Sequence, residues 1–144
     1  MERKQELALG LLRVTIGIVF LAHGYQKLFV WGIHGVAGTF GQTGIPLPVT
    51  SAYLASFAEF FGGLALLVGF GTRLAAIPVG FTMLVALLQV HLKGGFYLPT
   101  GFEYVMVLLA ANIALVIGGG GAFAVENVLF KKRKPELRTT RLAA

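Results

Sequence analysis

The sequence contains no cysteine among its 144 residues. The chain therefore cannot carry out thiol–disulfide exchange by itself, and it offers no thiolate to ligate an iron–sulfur cluster or a haem. Charge is also scarce, since only 12% of the residues are charged whereas 56% are hydrophobic, and the mean hydropathy is +0.80. Soluble domains carry about 25% charged residues. The composition therefore predicts a membrane protein.

Four apolar segments have the length of about twenty residues that a helix needs to cross a bilayer. They cover residues 7–29, 50–70, 72–92 and 102–118. The first segment is too long for the core of a signal peptide and lacks a small-residue cleavage pattern. Because the four segments fill nearly the whole chain, we expect one all-α domain over residues 1–144, a polytopic bundle of four transmembrane helices without a soluble catalytic domain.

Basic residues cluster at the two ends of the sequence. Arg3 and Lys4 precede the first segment, and the tail 131–144 contains Lys131, Lys132, Arg133, Lys134, Arg138 and Arg141. The positive-inside rule places both termini in the cytoplasm, with the links 30–48 and 93–101 on the outer side. The net charge of +6 comes mostly from the tail, and we interpret it as attraction to anionic lipid rather than to nucleic acid.

Small residues mark the faces on which the helices are expected to pack. Gly10, Gly17 and Gly24 recur at heptad spacing, and Arg13, His23 and Lys27 lie beside this stripe on a helical wheel. In the second segment, Glu59 is flanked on its face by Ala52, Ala55, Ser56, Gly62 and Gly63. In the fourth segment, Glu103 shares a face with Val107, Ala110 and Ala114, which predicts that this face also turns inward.

Helical phase and depth together predict a polar pocket in the outer half of the bundle. His23 and Lys27 form one wall, opposite Glu59, His91 and Glu103, and Tyr104 opens the fourth helix at the mouth. Glu59 and His23 are the candidate catalytic, proton-handling residues. Structural alternatives stay open: Glu59 could pair with Arg13, Lys27 could extend to the outer interface, and His91 and Glu103 could only match helix dipoles.

Several of these residues stand in stretches that resemble a known family. The stretches are LLRVTIGIVFLAHGYQKLF, GIPLP, AEFFGGLALLVGFGTRLAA and VHLKGGFYLPTGFEYVMVLLAANIAL. In this order they resemble the DoxX family of small bacterial membrane proteins, over nearly the whole chain. The resemblance implies a four-helix protein of the bacterial inner membrane. It also implies kinship with the DoxD-type quinone-linked subunit of thiosulfate oxidation.

Three functions are compatible with these residues. The first is the membrane subunit of a quinone-linked redox system, which would need a redox partner protein because the sequence identifies no electron donor. The second is a non-catalytic anchor or assembly module for a partner protein, and a homo-oligomer is compatible with either. The third is a haem site formed by His23 and His91, or a divalent metal site that adds Glu59 and Glu103, although neither set has a diagnostic spacing.

Overall fold

The computed structural model describes residues 2–130, so the basic tail at 131–144 lies outside the described residues. The described elements are α1 (Arg3–Tyr25), a π-helical segment (Gln26–Trp31), α2 (Gly32–Gln42), α3 (Pro48–Val68), α4 (Thr72–Ala86), a second π-helical segment (Leu87–His91), a short 3-10 turn (Leu92–Gly94), α5 (Glu103–Gly118) and α6 (Val125–Leu129). Residues 2–130 contain no strand. The all-α membrane bundle predicted from the sequence is confirmed.

Three of the predicted spans are long and apolar enough to cross a membrane. They are Arg3–Gln42, Pro48–Val68 and Thr72–Gly94. The fourth, α5, has 16 residues and is about 24 Å long at ~1.5 Å per residue, slightly less than the hydrocarbon thickness of about 30 Å. Helices α3 and α5 lie at the predicted segments 50–70 and 102–118, and α4 starts at the predicted residue 72 but ends at Ala86, after which the π-helical segment continues to His91.

The first span differs from the prediction. The link at 30–48 was expected to be an outer loop, but helical structure continues from Arg3 through Gln42. The four glycines between positions 32 and 41 favour a loop on local propensity alone. Tertiary packing decides otherwise, because Val36 and Ala37 of α2 are buried against Ala52 of α3.

Helices α1 and α3 pack backbone to backbone, as the glycine stripe predicted. A Cβ atom added at Gly17 would lie 2.5 Å from the backbone nitrogen of Leu67, and one added at Gly24 would clash with the backbone of Phe60. Gly10 continues the stripe but contacts a loop instead of a helix, since its Cβ would lie 2.8 Å from the carbonyl oxygen of Ala122. Close approach of this kind supports helix association in lipid, where no hydrophobic force drives it.

The main core lies where α1, α3, α4 and α5 meet. Its buried members are Ile16, Phe20, Leu66, Ala76, Val79, Met83, Val105, Leu108, Ala111 and Leu115. The predicted inward face of the fourth helix is therefore wrong, because Val107 and Ala110 are exposed. Helix α5 is apolar nearly all round, so hydrophobic periodicity could not select the face that packs against α4.

Arg13 does not pair with Glu59, and this alternative is corrected by the structure. Its guanidinium is buried and donates to the carbonyl oxygens of Leu66 (2.7 Å), Leu67 (2.8 Å), Gly120 (2.8 Å) and Ala122 (3.3 Å). Two of these carbonyls, those of Leu66 and Leu67, belong to the last turn of α3, where carbonyl oxygens lack the usual i+4 partner within the helix. The oxygen of Leu66 also accepts the backbone N–H of Gly69 (3.2 Å). Arg13 thus ties α1 to the end of α3 and to the glycine-rich loop after α5.

Candidate functional site

Glu59 and Lys27 form a buried ion pair between α3 and the first π-helical segment. Oε2 of Glu59 accepts a hydrogen bond from Nζ of Lys27. The Glu59 side chain is 3% exposed and that of Lys27 is 14% exposed. Lys27 follows Phe20 and Gly24 on the face of the first helix that packs against α3, so its ammonium points to Glu59. The ammonium offsets part of the free-energy cost of burying a carboxylate inside a membrane bundle.

A cavity of about 410 Å³ lies beside this ion pair, between α2, α3 and α4. Its walls are largely apolar, and its lining residues are Phe40, Ile45, Ser51, Leu54, Ala55, Ala58, Glu59, Pro78, Phe81, Thr82, Val85, Ala86 and Val90. Among the described residues, Glu59 is the one charged residue in this lining. Its carboxylate contacts the Lys27 ammonium on one side and the cavity on the other.

The two hydroxyl groups of the cavity already have acceptors. Ser51 donates to the carbonyl oxygen of Pro46 (2.7 Å), and Thr82 donates to that of Val79 (2.7 Å). Each hydroxyl oxygen still has lone pairs that can accept a hydrogen bond. A polar group that enters the cavity therefore meets the Glu59 carboxylate and two acceptor oxygens.

His23 is not part of this cavity. Its side chain is exposed, and its Nδ1 atom lies 2.8 Å from the carbonyl oxygen of Val19 in the preceding helical turn. The predicted position of His23 on the packed face is wrong, because the packed stripe passes through its neighbour Gly24. One residue along a helix rotates the side chain by about 100°, enough to turn it out of the interface.

The remaining predicted pocket residues lie at the loop that joins α4 to α5. Nδ1 of His91 is 3.4 Å from the carbonyl oxygen of Thr100, and Oε1 of Glu103 accepts a hydrogen bond from the backbone N–H of Leu98 (2.9 Å). Tyr104 is exposed. None of the three lines the Glu59 cavity. Of the six predicted residues, the structure thus brings together only Lys27 and Glu59.

The predicted metal ligands are equally dispersed. Within residues 2–130, no group of three or more His, Cys, Asp or Glu side chains is close enough to hold a metal ion. His23 and His91 contact different backbone segments, so the geometry of the described part gives no support to a shared haem or metal.

Sequence reasoning missed the wall that α4 contributes to the cavity. Pro78, Phe81, Thr82, Val85 and Ala86 recur at helical spacing of three and four residues, which places them on one face. The small residues beside Glu59 on α3 were a second signal, since alanine leaves space that a larger side chain would fill. Nothing in the local sequence indicated that Phe40 and Ile45 line the cavity, because their position depends on how α2 packs over α3.

Comparison with known proteins agrees with the fold and the motifs. The DoxX family model matches residues 8–92. The chain is 32% identical to a Bacillus subtilis protein named "Putative oxidoreductase CatD", over 93% of this chain and 96% of that protein. It is 31% identical to the Escherichia coli inner membrane protein YqjF, over 92% and 99% of the two chains.

A Mycobacterium tuberculosis protein named as an uncharacterized membrane protein is 29% identical, over 84% of this chain and 80% of its own length. No solved structure matches the chain. The match of the family model to more than half of the chain, together with relatives of nearly equal length, shows that this chain belongs to the DoxX family.

Proposed function

We propose that the protein is the membrane subunit of a quinone-linked redox system, in which the cavity beside Glu59 binds the quinone. One observation carries the proposal: a cavity of about 410 Å³ combines apolar walls with a single charged group, the Glu59 carboxylate. Small-molecule sites have this character, with volumes of about 300–1,000 Å³ and a few polar groups that fix orientation. The name of the Bacillus subtilis relative points to the same class of chemistry.

The lining residues fit a quinone in shape, and their hydrogen-bond acceptors match the hydroxyl donors of its reduced form, the quinol. Phe40 and Phe81 offer aromatic surface for a flat ring, and the alanines of α3 leave room next to Glu59. A bound quinone would supply reversible uptake of electrons and protons. Since the chain has no cysteine, an iron–sulfur or dithiol electron donor would belong to a partner protein.

Glu59 is the residue suited to exchange a proton with such a ligand. A carboxylate within a cavity can donate or accept a proton when a reacting oxygen lies within hydrogen-bonding reach. Lys27 acts through Glu59, because its ammonium bonds to Oε2 and is absent from the cavity lining. Lys27 is therefore a positioning residue.

Binding of decylubiquinone and of its reduced form, decylubiquinol, to the purified protein in lipid nanodiscs tests the proposal. Glu59→Gln keeps the shape of the side chain but removes its charge. Because a quinol hydroxyl can donate to the carboxylate whereas the oxidised quinone offers only acceptors, we expect decylubiquinol binding to weaken by roughly 10- to 100-fold, the equivalent of one hydrogen bond to a charged group. Because this change leaves Lys27 unpaired, the double variant Lys27→Met with Glu59→Gln should be measured beside it. Both variants should retain wild-type helicity by circular dichroism.

Glu6→Gln is the matched control, since Glu6 is exposed in the first turn of α1 and distant in sequence from the cavity residues. It should bind decylubiquinone as wild type does. Unchanged decylubiquinol binding in folded Glu59→Gln protein would contradict the proposed role of Glu59. Absence of binding to wild-type protein would contradict the quinone function and favour the anchor or assembly function. A visible absorption spectrum and elemental analysis of the same sample test the haem and metal alternatives.

A further inference from the structure

The cavity is bordered by protein surface that faces the bilayer, so a ligand dissolved in the lipid can reach Glu59 from the side. We infer that the ligand enters sideways from the lipid, between α3 and α4, and that its apolar chain leaves by the same opening while its polar head lies next to Glu59. This inference rests on the proposed function and specifies its substrate class as a membrane-dissolved isoprenoid quinone, not a water-soluble one.

The lining residues differ sharply in their exposure. Leu54 of α3 is 67% exposed and Phe81 of α4 is 64% exposed, whereas Glu59 is almost completely buried. The cavity therefore has an apolar rim and a charged inner end. In a soluble protein such a rim would contact water, but in a membrane-spanning bundle it contacts acyl chains.

The rim lies at the level of the hydrocarbon. At ~1.5 Å per residue, Phe81 is about 14 Å along α4 from its first residue, Thr72, and Leu54 is about 21 Å from the end of α3 at Val68. Thr72 and Val68 flank the same short link, so both distances are measured from one side of the membrane. With a hydrocarbon thickness of about 30 Å, neither residue reaches a membrane surface.

The outer end of the cavity is covered by the segment that the sequence had suggested to be a loop. Phe40 of α2 and Ile45 just after it line the cavity, and Ile45 is buried. The chain is held in this position by Val36 and Ala37, which pack on Ala52 of α3. A water-soluble molecule would have to displace this cover, whereas a lipid-soluble one has direct access through the rim.

The distribution of charge in the cavity lining supports the same route. Within residues 2–130, no charged residue other than Glu59 lines the cavity, so no charged side chain of this part at the rim attracts a polar solute from water. A molecule with a long apolar chain and a small polar head matches this distribution, because its chain contacts Leu54 and Phe81 while its head contacts the carboxylate.

Site-specific labelling tests the route, since the native chain has no cysteine. A bulky maleimide attached to Leu54→Cys should obstruct the rim and weaken decylubiquinone binding by about tenfold or more, the equivalent of about 1.4 kcal/mol. Leu74→Cys is the matched control, because Leu74 is 76% exposed on α4 but does not line the cavity, and its labelling should leave binding unchanged. Each variant before labelling is its own control for folding.

Gln42→Cys, labelled in the same way, tests entry past the end of α2. Weaker binding after labelling at Gln42 but not at Leu54 would overturn the lateral route and leave the quinone function standing. Weaker decylubiquinone binding after labelling at Leu54→Cys, but not at Gln42→Cys, supports the lateral route.

A spin label at Phe81→Cys gives a readout that needs no quinone. Its relaxation should respond to oxygen, which concentrates in lipid, and not to a water-soluble nickel chelate. A dominant response to nickel would overturn the lateral opening even if quinone binds. Failure of decylubiquinone to bind unlabelled wild-type protein would overturn both the proposed function and the quinone as the occupant of the cavity. A dominant oxygen response at Phe81 would in that case still support an opening that faces lipid.

Discussion

Replacing Gly17 by alanine should separate two helices that are in backbone contact. The added Cβ would lie 2.5 Å from the backbone nitrogen of Leu67 and 2.8 Å from its Cα. Backbone atoms cannot rotate away as a flexible side chain can, so α1 and α3 must move apart. Because the clash is with backbone atoms, we expect a steric cost of roughly 2–3 kcal/mol, in the upper part of the range for overpacking. Alanine offsets about 1 kcal/mol of it through its helix propensity relative to glycine, which leaves a net loss of about 1–2 kcal/mol.

Gly38 provides a control with the opposite expected sign. It lies in α2, in the same continuous helical stretch, and a Cβ added there has no neighbouring atom within 4 Å. Gly38→Ala should therefore raise the free energy of unfolding by about 0.5–1 kcal/mol through helix propensity alone. The same substitution should thus stabilise the protein at one position and destabilise it at the other.

Equilibrium unfolding in mixed detergent micelles, followed by circular dichroism, measures both variants against wild type. Gly17→Leu should lower the free energy of unfolding more than Gly17→Ala does, because a larger volume enters the same interface. The reasoning would be refuted if Gly17→Ala were as stable as wild type, or if Gly17→Ala and Gly38→Ala changed stability in the same direction.

Two further predictions concern the hydrogen bonds of Arg13 and the topology. Arg13→Met should destabilise the protein by about 3–5 kcal/mol, because four carbonyl oxygens lose a buried charged donor; a loss below about 1 kcal/mol would mean that water replaces the guanidinium. Single cysteines at Gly38 and Ala143 should react with an impermeant thiol reagent from opposite sides of the bacterial inner membrane, as expected if both termini are cytoplasmic. Reaction of both from the outer side would contradict this topology.

Much of the fold could be predicted because the bilayer restricts what a chain can do. Backbone polar groups must be paired within the hydrocarbon, so an apolar run of about twenty residues specifies a helix almost regardless of its neighbours. Gly17 and Gly24 identified the face of α1 that packs on another helix, since small residues permit close backbone approach, and the structure shows that this helix is α3. Glu59 was predicted to face inward because lipid cannot solvate a carboxylate.

The site could be predicted only in part, since pairing depends on helix rotation and axial position. Lys27 was expected to lie opposite Glu59, whereas Arg13 was left open as the partner of an ion pair with it. About 21 Å along the first helix separates Lys27 from Arg13 at ~1.5 Å per residue. In the structure Lys27 lies at the same level as Glu59 along the packed helices and pairs with it. Arg13 lies near the C-terminal end of α3, where it donates to backbone carbonyl oxygens. His23 shows the sensitivity of such arguments, because an offset of one residue moved it out of the interface.

The sequence by itself determined the properties that depend on local composition: insertion in a membrane, four apolar segments, the inward position of Glu59 and membership of a family of such bundles. Only the tertiary structure decided what depends on contacts between distant segments. It folded residues 32–42 into a helix over α3, left a cavity beside Glu59, and excluded His23, His91 and Glu103 from it. The physical reason is that lipid selects which residues a helix may expose, whereas interhelical packing selects which buried residues meet.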